Sequence, residues 1–145
     1  MDEVNKFALQ FTDKKIDGVL NHGRKYFLVS EEQKKLSEQI GRDLFSAGIL
    51  LGEKKDTFKP TPALVDMISK ISDNKVFISK KSEWLFLCGR DVFEENIIKQ
   101  VGDNKLVLVQ NEKDENLGYG MFIKNGKERL LKNILDKGYY LRREN

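Results

Sequence analysis

Two glycines, one residue apart, interrupt the most strand-like stretch of the chain, Leu117-Gly118-Tyr119-Gly120-Met121-Phe122-Ile123. Because side chains two apart in a strand share a face, Gly118 and Gly120 leave one face of this strand bare. A glycine inside a strand usually marks a sharp bend or a close approach of another backbone, and a small barrel needs such corners. The strand-like run at 106–109 precedes it across a polar turn at 111–116. We therefore predict a hairpin within a small closed or half-closed barrel.

The composition limits the kind of protein this can be. With 145 residues, the chain can form one ordinary domain or two small ones. Charged residues make up 34% of it, and no apolar run approaches the length that spans a bilayer. The first residues, Met1-Asp2-Glu3, are acidic, which argues against a secretory signal. A single cysteine, Cys88, excludes an internal disulfide and a cysteine-based zinc site. We expect a cytoplasmic, monomeric protein.

The first half alternates strand and helix signals. Residues 3–11 fit either a strand or one face of a helix, and periodicity leaves both open. A hairpin is predicted from 16–20 and 25–29 around the turn Asn21-His22-Gly23-Arg24. Ser30 and Gln33 have the spacing of a capping box before a helix. The run from Leu44 to Leu51 predicts a buried strand or a close turn, 56–60 an edge strand, and Thr61-Pro62 the start of a helix.

Ser72-Asp73-Asn74 is the best linker candidate, because it is polar and follows a completed helix. We therefore predict an N-terminal domain at 1–72 and a second domain at 73–145. In the second half we predict strands at Lys75–Ile78 and Trp84–Cys88, the latter ended by Gly89. Helices are predicted from Asp91 and around Leu130, Leu131, Ile134 and Leu135, and a last strand at Tyr139–Leu141.

Candidate catalytic groups are scarce. His22 is the only histidine and falls in a predicted turn without an obvious partner. Cys88, in an apolar run with no neighbouring histidine, is expected to be a buried small hydrophobic residue. The pairs Glu31-Glu32 and Glu94-Glu95 are predicted to open helices, where negative charge suits the dipole. We expect no catalytic site, no metal site and no cofactor, and hence no enzyme.

Positive charge is concentrated near the C-terminus. From Lys124 to Arg143, seven basic residues face two acidic ones, a net charge of +5 against +3 for the whole chain. Such a concentration indicates a polyanionic partner, although a solvated charged face has the same composition.

Short motifs in both halves resemble known families. In the second half, residues 75–80, Phe86-Leu87-Cys88-Gly89, Leu117-Gly118-Tyr119-Gly120 and the closing residues 138–144 resemble a PUA domain, a small RNA-binding pseudobarrel. In the first half, Tyr26-Phe27-Leu28-Val29-Ser30-Glu31, the glycine-containing run from Leu44 to Gly52, and residues 58–66 are similar to the Nip-seven family of ribosome-biogenesis factors. The compact N-terminus and the lysine-rich composition resemble archaeal members.

The resemblance implies an α+β protein, in which an N-terminal antiparallel α/β domain is packed on a C-terminal PUA-type β pseudobarrel. It further implies a non-catalytic, RNA-binding factor in large-subunit biogenesis and pre-rRNA processing, with a link to the exosome proposed in archaea. The alternatives are a protein-interaction adaptor of an RNA-processing complex, such as an exosome-associated one, and an accessory PUA subunit of an RNA-modification system. Pre-ribosomal or exosome proteins are candidate partners besides RNA, and no membrane is expected.

The predicted RNA-binding residues follow from the resemblance and the basic segment. The first choice is the pair Arg142 and Arg143; the surface extends through Lys137, Lys132 and Arg129, with Arg90 and Lys80 as weaker candidates. Tyr139 or Tyr140 could stack on a base or fill the core. The chain departs from the family in its short N-terminal region, in Cys88, where an aromatic residue is common, and in ending two residues after Arg143.

Overall fold

An antiparallel four-stranded sheet forms the centre of the N-terminal unit. The computed structural model describes residues 1–40 and 48–139, with only the backbone described at 36–40. The chain divides into two compact units, Met1–Leu64 and Val65–Asn145. The predicted break at 72–74 stays a prediction. The first sheet has the order β1-β2-β3-β4, with β1 Val19–His22, β2 Lys25–Leu28, β3 Ile49–Lys54 and β4 Phe58–Pro60.

Local hydrogen bonds explain the helices of this unit. The Asn5 N–H donates to Asp2 Oδ1 at 2.7 Å, so Asp2 caps α1 (Glu3–Ala8). Of the two structures that residues 3–11 fitted, a strand or a helix, the chain thus adopts the helix. The capping box before α2 (Glu31–Ile40) is confirmed: the Gln33 N–H donates to Ser30 Oγ, and the Ser30 N–H donates to Gln33 Oε1. Thr61 precedes α3 (Pro62–Ile71) as predicted, and this helix begins in the first unit and continues into the second. The predicted hairpin is also confirmed, although His22 ends β1 instead of lying in the turn.

A curled six-stranded sheet makes up the C-terminal unit. Its order is β6-β10-β9-β8-β5-β7, in which only the β5–β8 pair is parallel. The strands are β5 Lys75–Ile78, β6 Val92–Phe93, β7 Ile97–Val101, β8 Leu106–Gln110, β9 Asn116–Asn125 and β10 Glu128–Asp136. Helix α4 (Lys80–Leu87) follows β5, and a 3-10 helix, Glu94–Asn96, joins β6 to β7. The core consists of Val76, Ile78, Phe86, Val92, Val107, Val109, Leu117, Phe122 and Leu131. The α+β fold with a C-terminal pseudobarrel is confirmed.

The two glycines of β9 have the role expected from the sequence. A Cβ at Gly118 would meet the carbonyl oxygen of Leu135, and its φ of +143° favours glycine. A Cβ at Gly120 would lie 2.7 Å from the carbonyl oxygen of Lys132. Both glycines thus allow the backbone of the paired strand β10 to approach β9 closely.

Four predictions of local structure are wrong. Residues 84–88 are not a strand: they belong to α4 and its C-cap, and Cys88 is exposed instead of buried. The helix expected from Asp91 is replaced by β6, the 3-10 helix and β7. The helix expected at 130–135 is the strand β10. Tyr139, expected in a strand, has helical backbone.

Two predictions fall partly beyond the described part of the chain. Residues 44–47 of the run that ends at Leu51, and residues 140–145, which include Tyr140, Arg142 and Arg143, lie outside the described residues.

Candidate nucleic-acid interface

Helix α4 owes its position to a cap at each end. The Ser82 N–H donates to Ser79 Oγ at 3.3 Å, which satisfies one free amide of the first turn. At the other end Gly89 adopts φ +92°, its N–H donates to the Phe86 carbonyl, and the Arg90 N–H donates to the Leu85 carbonyl at 3.1 Å. These two bonds form a Schellman motif, in which a left-handed glycine closes the helix. Gly89 therefore ends a helix and not, as predicted, a strand.

The two sides of α4 differ in chemistry. Phe86 and Ser82 are buried, whereas Lys80, Lys81, Trp84 and Cys88 are exposed, with Trp84 68% exposed. Residues three and four apart are neighbours on a helix surface, so both lysines and Cys88 adjoin Trp84. We call the exposed set Lys80, Lys81, Trp84 and Cys88 the α4 face. It joins two cations to one aromatic ring.

The lysines of the α4 face have no carboxylate partner among the described residues. The one acidic residue in the first turn, Glu83, accepts a hydrogen bond from Asn111 Nδ2 at 3.3 Å. Cations near a helix N-terminus oppose the dipole and each cost about 0.3–1 kcal/mol. Helix stability therefore does not account for Lys80 and Lys81, and their charge adds to the positive end of the helix.

Strand β10 fixes the loop that follows α4. Asn133 Nδ2 donates to the carbonyl oxygens of Phe86 at 2.9 Å and Arg90 at 3.3 Å. The Asn133 N–H donates to Asp91 Oδ1 at 2.8 Å. Arg90 is exposed, and within the described ranges its guanidinium has no ion pair. The backbone that carries Arg90 is thus held at both the helix and the sheet.

Arg129 and Lys132 point to opposite faces of the same strand. Arg129 pairs with Lys124 and Lys132 with Met121 in the β9–β10 register, and no bulge separates them. Three residues apart they would share a helix face, but in a strand they cannot. Lys132 is exposed, and in the part of the chain that the structure describes it makes no ion pair. The two residues do not form one patch.

Arg129 is neutralised by a carboxylate. Its Nε donates to Glu94 Oε1 at 3.0 Å, and its Nη2 lies 2.9 Å from the same oxygen. Hydrogen bonds from the Arg129 side chain and backbone lower the pKa of Glu94. The guanidinium also stacks 4.2 Å from the centre of the Phe122 ring, and Nη2 donates to Gln100 Oε1. These contacts give Arg129 a structural role within the C-terminal unit.

Lys137 faces acidic surroundings. Its Nζ lies 3.3 Å from Asp66 Oδ1, and the residue lines a depression of about 580 Å³. The other charged residues lining this depression are Asp66, Lys70, Lys75, Glu83, Asp114 and Glu115. Carboxylates outnumber the ammonium groups there, which disfavours phosphate.

The same depression is rich in buried amides. Gln110 Nε2 donates to Asp114 Oδ1 at 2.9 Å, and this bond, followed by the contact with Lys75, lowers the pKa of Asp114 against the opposing effect of burial. Asn116 Nδ2 donates to Gln110 Oε1 at 2.7 Å. Asn116 Oδ1 is buried with no hydrogen-bond partner among the described residues. These bonds hold the turn between β8 and β9 in place.

The structure thus divides the residues predicted to bind RNA into three groups. Lys80, Arg90 and Lys132 are exposed and unpaired within the described ranges, whereas Arg129 and Lys137 are held by Glu94 and Asp66. Arg142 and Arg143 lie outside those ranges and stay predictions. Sequence reasoning missed Lys81 and Trp84, because the run Trp84–Cys88 looked like a buried strand. The signals that identify the helix are Ser79 before it and Gly89 after it.

The described residues lack both a metal-binding cluster and a membrane-spanning helix. They contain no group of three or more His, Cys, Asp or Glu side chains arranged to hold a metal ion. Within the same ranges, no helix combines the length and apolar character required to traverse a bilayer.

Comparison with known proteins identifies relatives of the chain. Residues 74–145 match the family model described as the UPF0113 PUA domain. A UPF0113 protein of Archaeoglobus fulgidus is 30% identical over 108 residues, covering 68% of this chain and 62% of the relative. A UPF0113 protein of Aeropyrum pernix is 31% identical over 103 residues, covering 68% and 58%. The chain therefore spans about three fifths of the length of these archaeal relatives.

One solved structure is also similar to the chain. It is titled "Structure of a Conserved PUA Domain Protein from Thermoplasma acidophilum", is 20% identical, and aligns with a TM-score of 0.46 over 78% of this chain and 95% of that one. The family match confirms the PUA resemblance of the second half. The narrower resemblance to the Nip-seven family stays a prediction.

Proposed function

We propose that this chain, whose residues 74–145 match the family model of the UPF0113 PUA domain, is a non-catalytic RNA-binding factor that acts in ribosome biogenesis. Its partner is RNA, and the resemblance of the first half to the Nip-seven family favours pre-rRNA. It works in the cytoplasm.

One observation carries the RNA proposal: the exposed cations of the C-terminal unit that have no carboxylate partner within the described ranges include two on the α4 face. Lys80 and Lys81 occupy the first turn of α4, where they add to the positive end of the helix dipole. Binding RNA through phosphates requires cations that can be reached and that are not already neutralised. Lys80 and Lys81 meet both conditions, and Arg129 and Lys137 do not meet the second.

Arg90 and Lys132 offer further contacts outside the α4 face. Both side chains are exposed, and the bonds of Asn133 to the Arg90 carbonyl and to Asp91 fix the backbone that carries Arg90 beside β10. The neighbouring carboxylate of Asp91 would repel a phosphate at this point. We therefore place the main phosphate contacts at Lys80 and Lys81, and we assign Arg90 and Lys132 to the flanks.

We also propose that the chain does not cleave or modify the RNA that it binds. His22 is an exposed residue at the end of β1, and Cys88 caps α4 with its side chain at the surface. We assign neither of them the role of a base or a nucleophile. Phosphate neutralisation and base contacts are sufficient for an assembly factor.

The test is an equilibrium titration of fluorescein-labelled single-stranded RNA with the full chain, followed by anisotropy at about 50 and about 200 mM salt. We expect binding that weakens steeply between the two concentrations, because each phosphate contact releases counterions. We also expect the RNA to be recovered at full length after incubation, because the chain does not cleave it. An anisotropy that does not change with protein concentration at the lower salt would refute RNA binding, and would favour the protein-interaction adaptor instead.

A further inference from the structure

Trp84 is a large apolar ring that the fold does not use. It is 68% exposed, while Phe86 on the other side of α4 is fully buried in the core of the C-terminal unit. Its removal would leave no cavity. A single exposed apolar side chain is common on protein surfaces, so the neighbours of Trp84 decide what the ring can bind.

The surroundings of Trp84 identify the kind of partner. Lys81 is three residues before it and Lys80 is four, so both ammonium groups rise from positions next to the ring. A protein partner that covered the indole with apolar side chains would also desolvate these two charges. A nucleotide instead supplies a flat base for the ring and a phosphate for the lysines. Charge and shape together favour nucleic acid.

We propose that Trp84 stacks on an unpaired base of bound RNA, and that this contact makes the α4 face select single-stranded over double-stranded RNA. The proposal rests on the RNA-binding function above. In a duplex the bases are already stacked on each other, so the ring can reach a base only at a strand end or after costly unstacking. In a single strand each base offers a free face, whatever its identity.

The matched control for this residue is Phe93. It is 56% exposed on β6 in the same unit, but it is followed by Glu94 and Glu95 instead of being flanked by lysines. In the sheet Phe93 pairs with Leu130, two residues from Lys132, so carboxylates and one cation surround this ring. An exposed ring in such mixed surroundings is expected to add much less to RNA affinity than Trp84.

The experiment combines two signals on the full chain. Because the 145 residues contain one tryptophan, the intrinsic emission reports Trp84 alone, while the anisotropy of a fluorescein-labelled RNA reports binding. The probes are an RNA of about 12 nucleotides without self-complementarity, within the range that one small fold covers, and the duplex of the same sequence. We expect the emission to be quenched along the anisotropy curve with the single strand.

The variants decide between stacking and simple proximity. Trp84→Ala is expected to lose about 5- to 150-fold in affinity for the single strand, the range for removing one base–aromatic stack, and to lose much less for the duplex. Trp84→Phe retains a ring and is expected to restore most of the affinity, whereas Phe93→Ala is expected to bind nearly as tightly as the unchanged chain does. Circular dichroism of each variant checks the fold.

Each outcome has one meaning. If RNA binds but the emission is unchanged and Trp84→Ala binds normally, stacking is refuted while the RNA-binding function stands. An equal loss for single strand and duplex would refute selection. If no RNA binds at either salt concentration, the underlying function fails, and stacking fails with it.

Discussion

The Glu94 carboxylate accepts a hydrogen bond from Arg129 Nε at 3.0 Å and lies 2.9 Å from Nη2 of the same side chain. This pair neutralises a cation that stands in the middle of the most basic segment of the sequence. A count of positive charges along the chain therefore overstates what a phosphate can reach.

The first prediction concerns this pair. Arg129→Gln should change RNA affinity by no more than about a factor of two, because the neighbouring carboxylate of Glu94 already offsets the charge that the guanidinium presents to a phosphate. The measurement is RNA anisotropy at fixed salt. Glu94→Gln is the companion variant, since it frees Arg129 and should strengthen binding. A tenfold loss in Arg129→Gln would place Arg129 in the RNA site.

A second prediction follows from the lowered pKa of Glu94. Hydrogen bonds from Arg129 lower it from an ordinary value of 4.5. Because the folded-state pKa is the lower one, the stabilisation is fully present above the unfolded pKa and is lost as the pH falls through the folded one. We expect the difference in Tm between the unchanged chain and Glu94→Gln to be constant from pH 7 to about 5 and to shrink only below about 4.5. A difference that already shrinks between pH 7 and 6 would contradict this account.

The third prediction tests the close approach of the paired strands β9 and β10 at Gly118. Gly118→Ala should lower the free energy of unfolding by about 3 kcal/mol or more, because a Cβ meets the Leu135 carbonyl at a φ that only glycine tolerates well. Gly126→Ala is the matched control: it also has positive φ but nothing within 4 Å of the added Cβ. It should cost only about 1 to 2 kcal/mol. Urea denaturation measures both, and equal losses would show that the close approach is unimportant.

The role of the two glycines in β9 could be predicted from the sequence, whereas the strand conformation of β10 could not. Two glycines in a strand have few explanations, and a close approach was one of them. Leu130, Leu131, Ile134 and Leu135 have helical spacing, yet they form a strand with a bulge between Asn133 and Leu135. The bulge shifts the alternation by one residue and leaves Ile134 exposed. An irregular strand thus produced the pattern of a helix.

The α4 face was missed for a related reason. Five apolar residues at 84–88 are too few to distinguish a buried strand from one side of a helix. The caps, Ser79 and Gly89, were readable, but a helix of eight residues gives little periodicity to support them. Which cations are neutralised depends on Glu94 and Asp66, distant in sequence from Arg129 and Lys137, and no local pattern contains that information.

The fourth prediction concerns Arg142 and Arg143, which end the basic segment. If both contact phosphate, Arg142→Ala with Arg143→Ala should lower the slope of log affinity against log salt by about 1.4 for single-stranded RNA. The loss should be similar for all sequences, since phosphate contacts carry no base information. The same titration run on uridine-rich and mixed RNA checks this. A loss confined to one sequence would mean that an arginine reads or stacks on a base instead.

The fifth prediction addresses the claim that the α4 face binds RNA phosphates through cations that no carboxylate holds. Lys80→Ala with Lys81→Ala is compared with Lys6→Ala with Lys70→Ala, which removes the same charge from exposed lysines paired with Glu3 and Asp66. If the α4 face does not bind RNA, the two double variants should have the same RNA affinity.

The decisive measurement is the affinity of each double variant for single-stranded RNA across a salt series. We predict that the slope of log affinity against log salt falls by about 1.4 in Lys80→Ala with Lys81→Ala, with a loss of about 25-fold in affinity at 0.1 M salt, and stays unchanged in the control. An unchanged slope and affinity in the folded Lys80→Ala, Lys81→Ala protein would contradict the account.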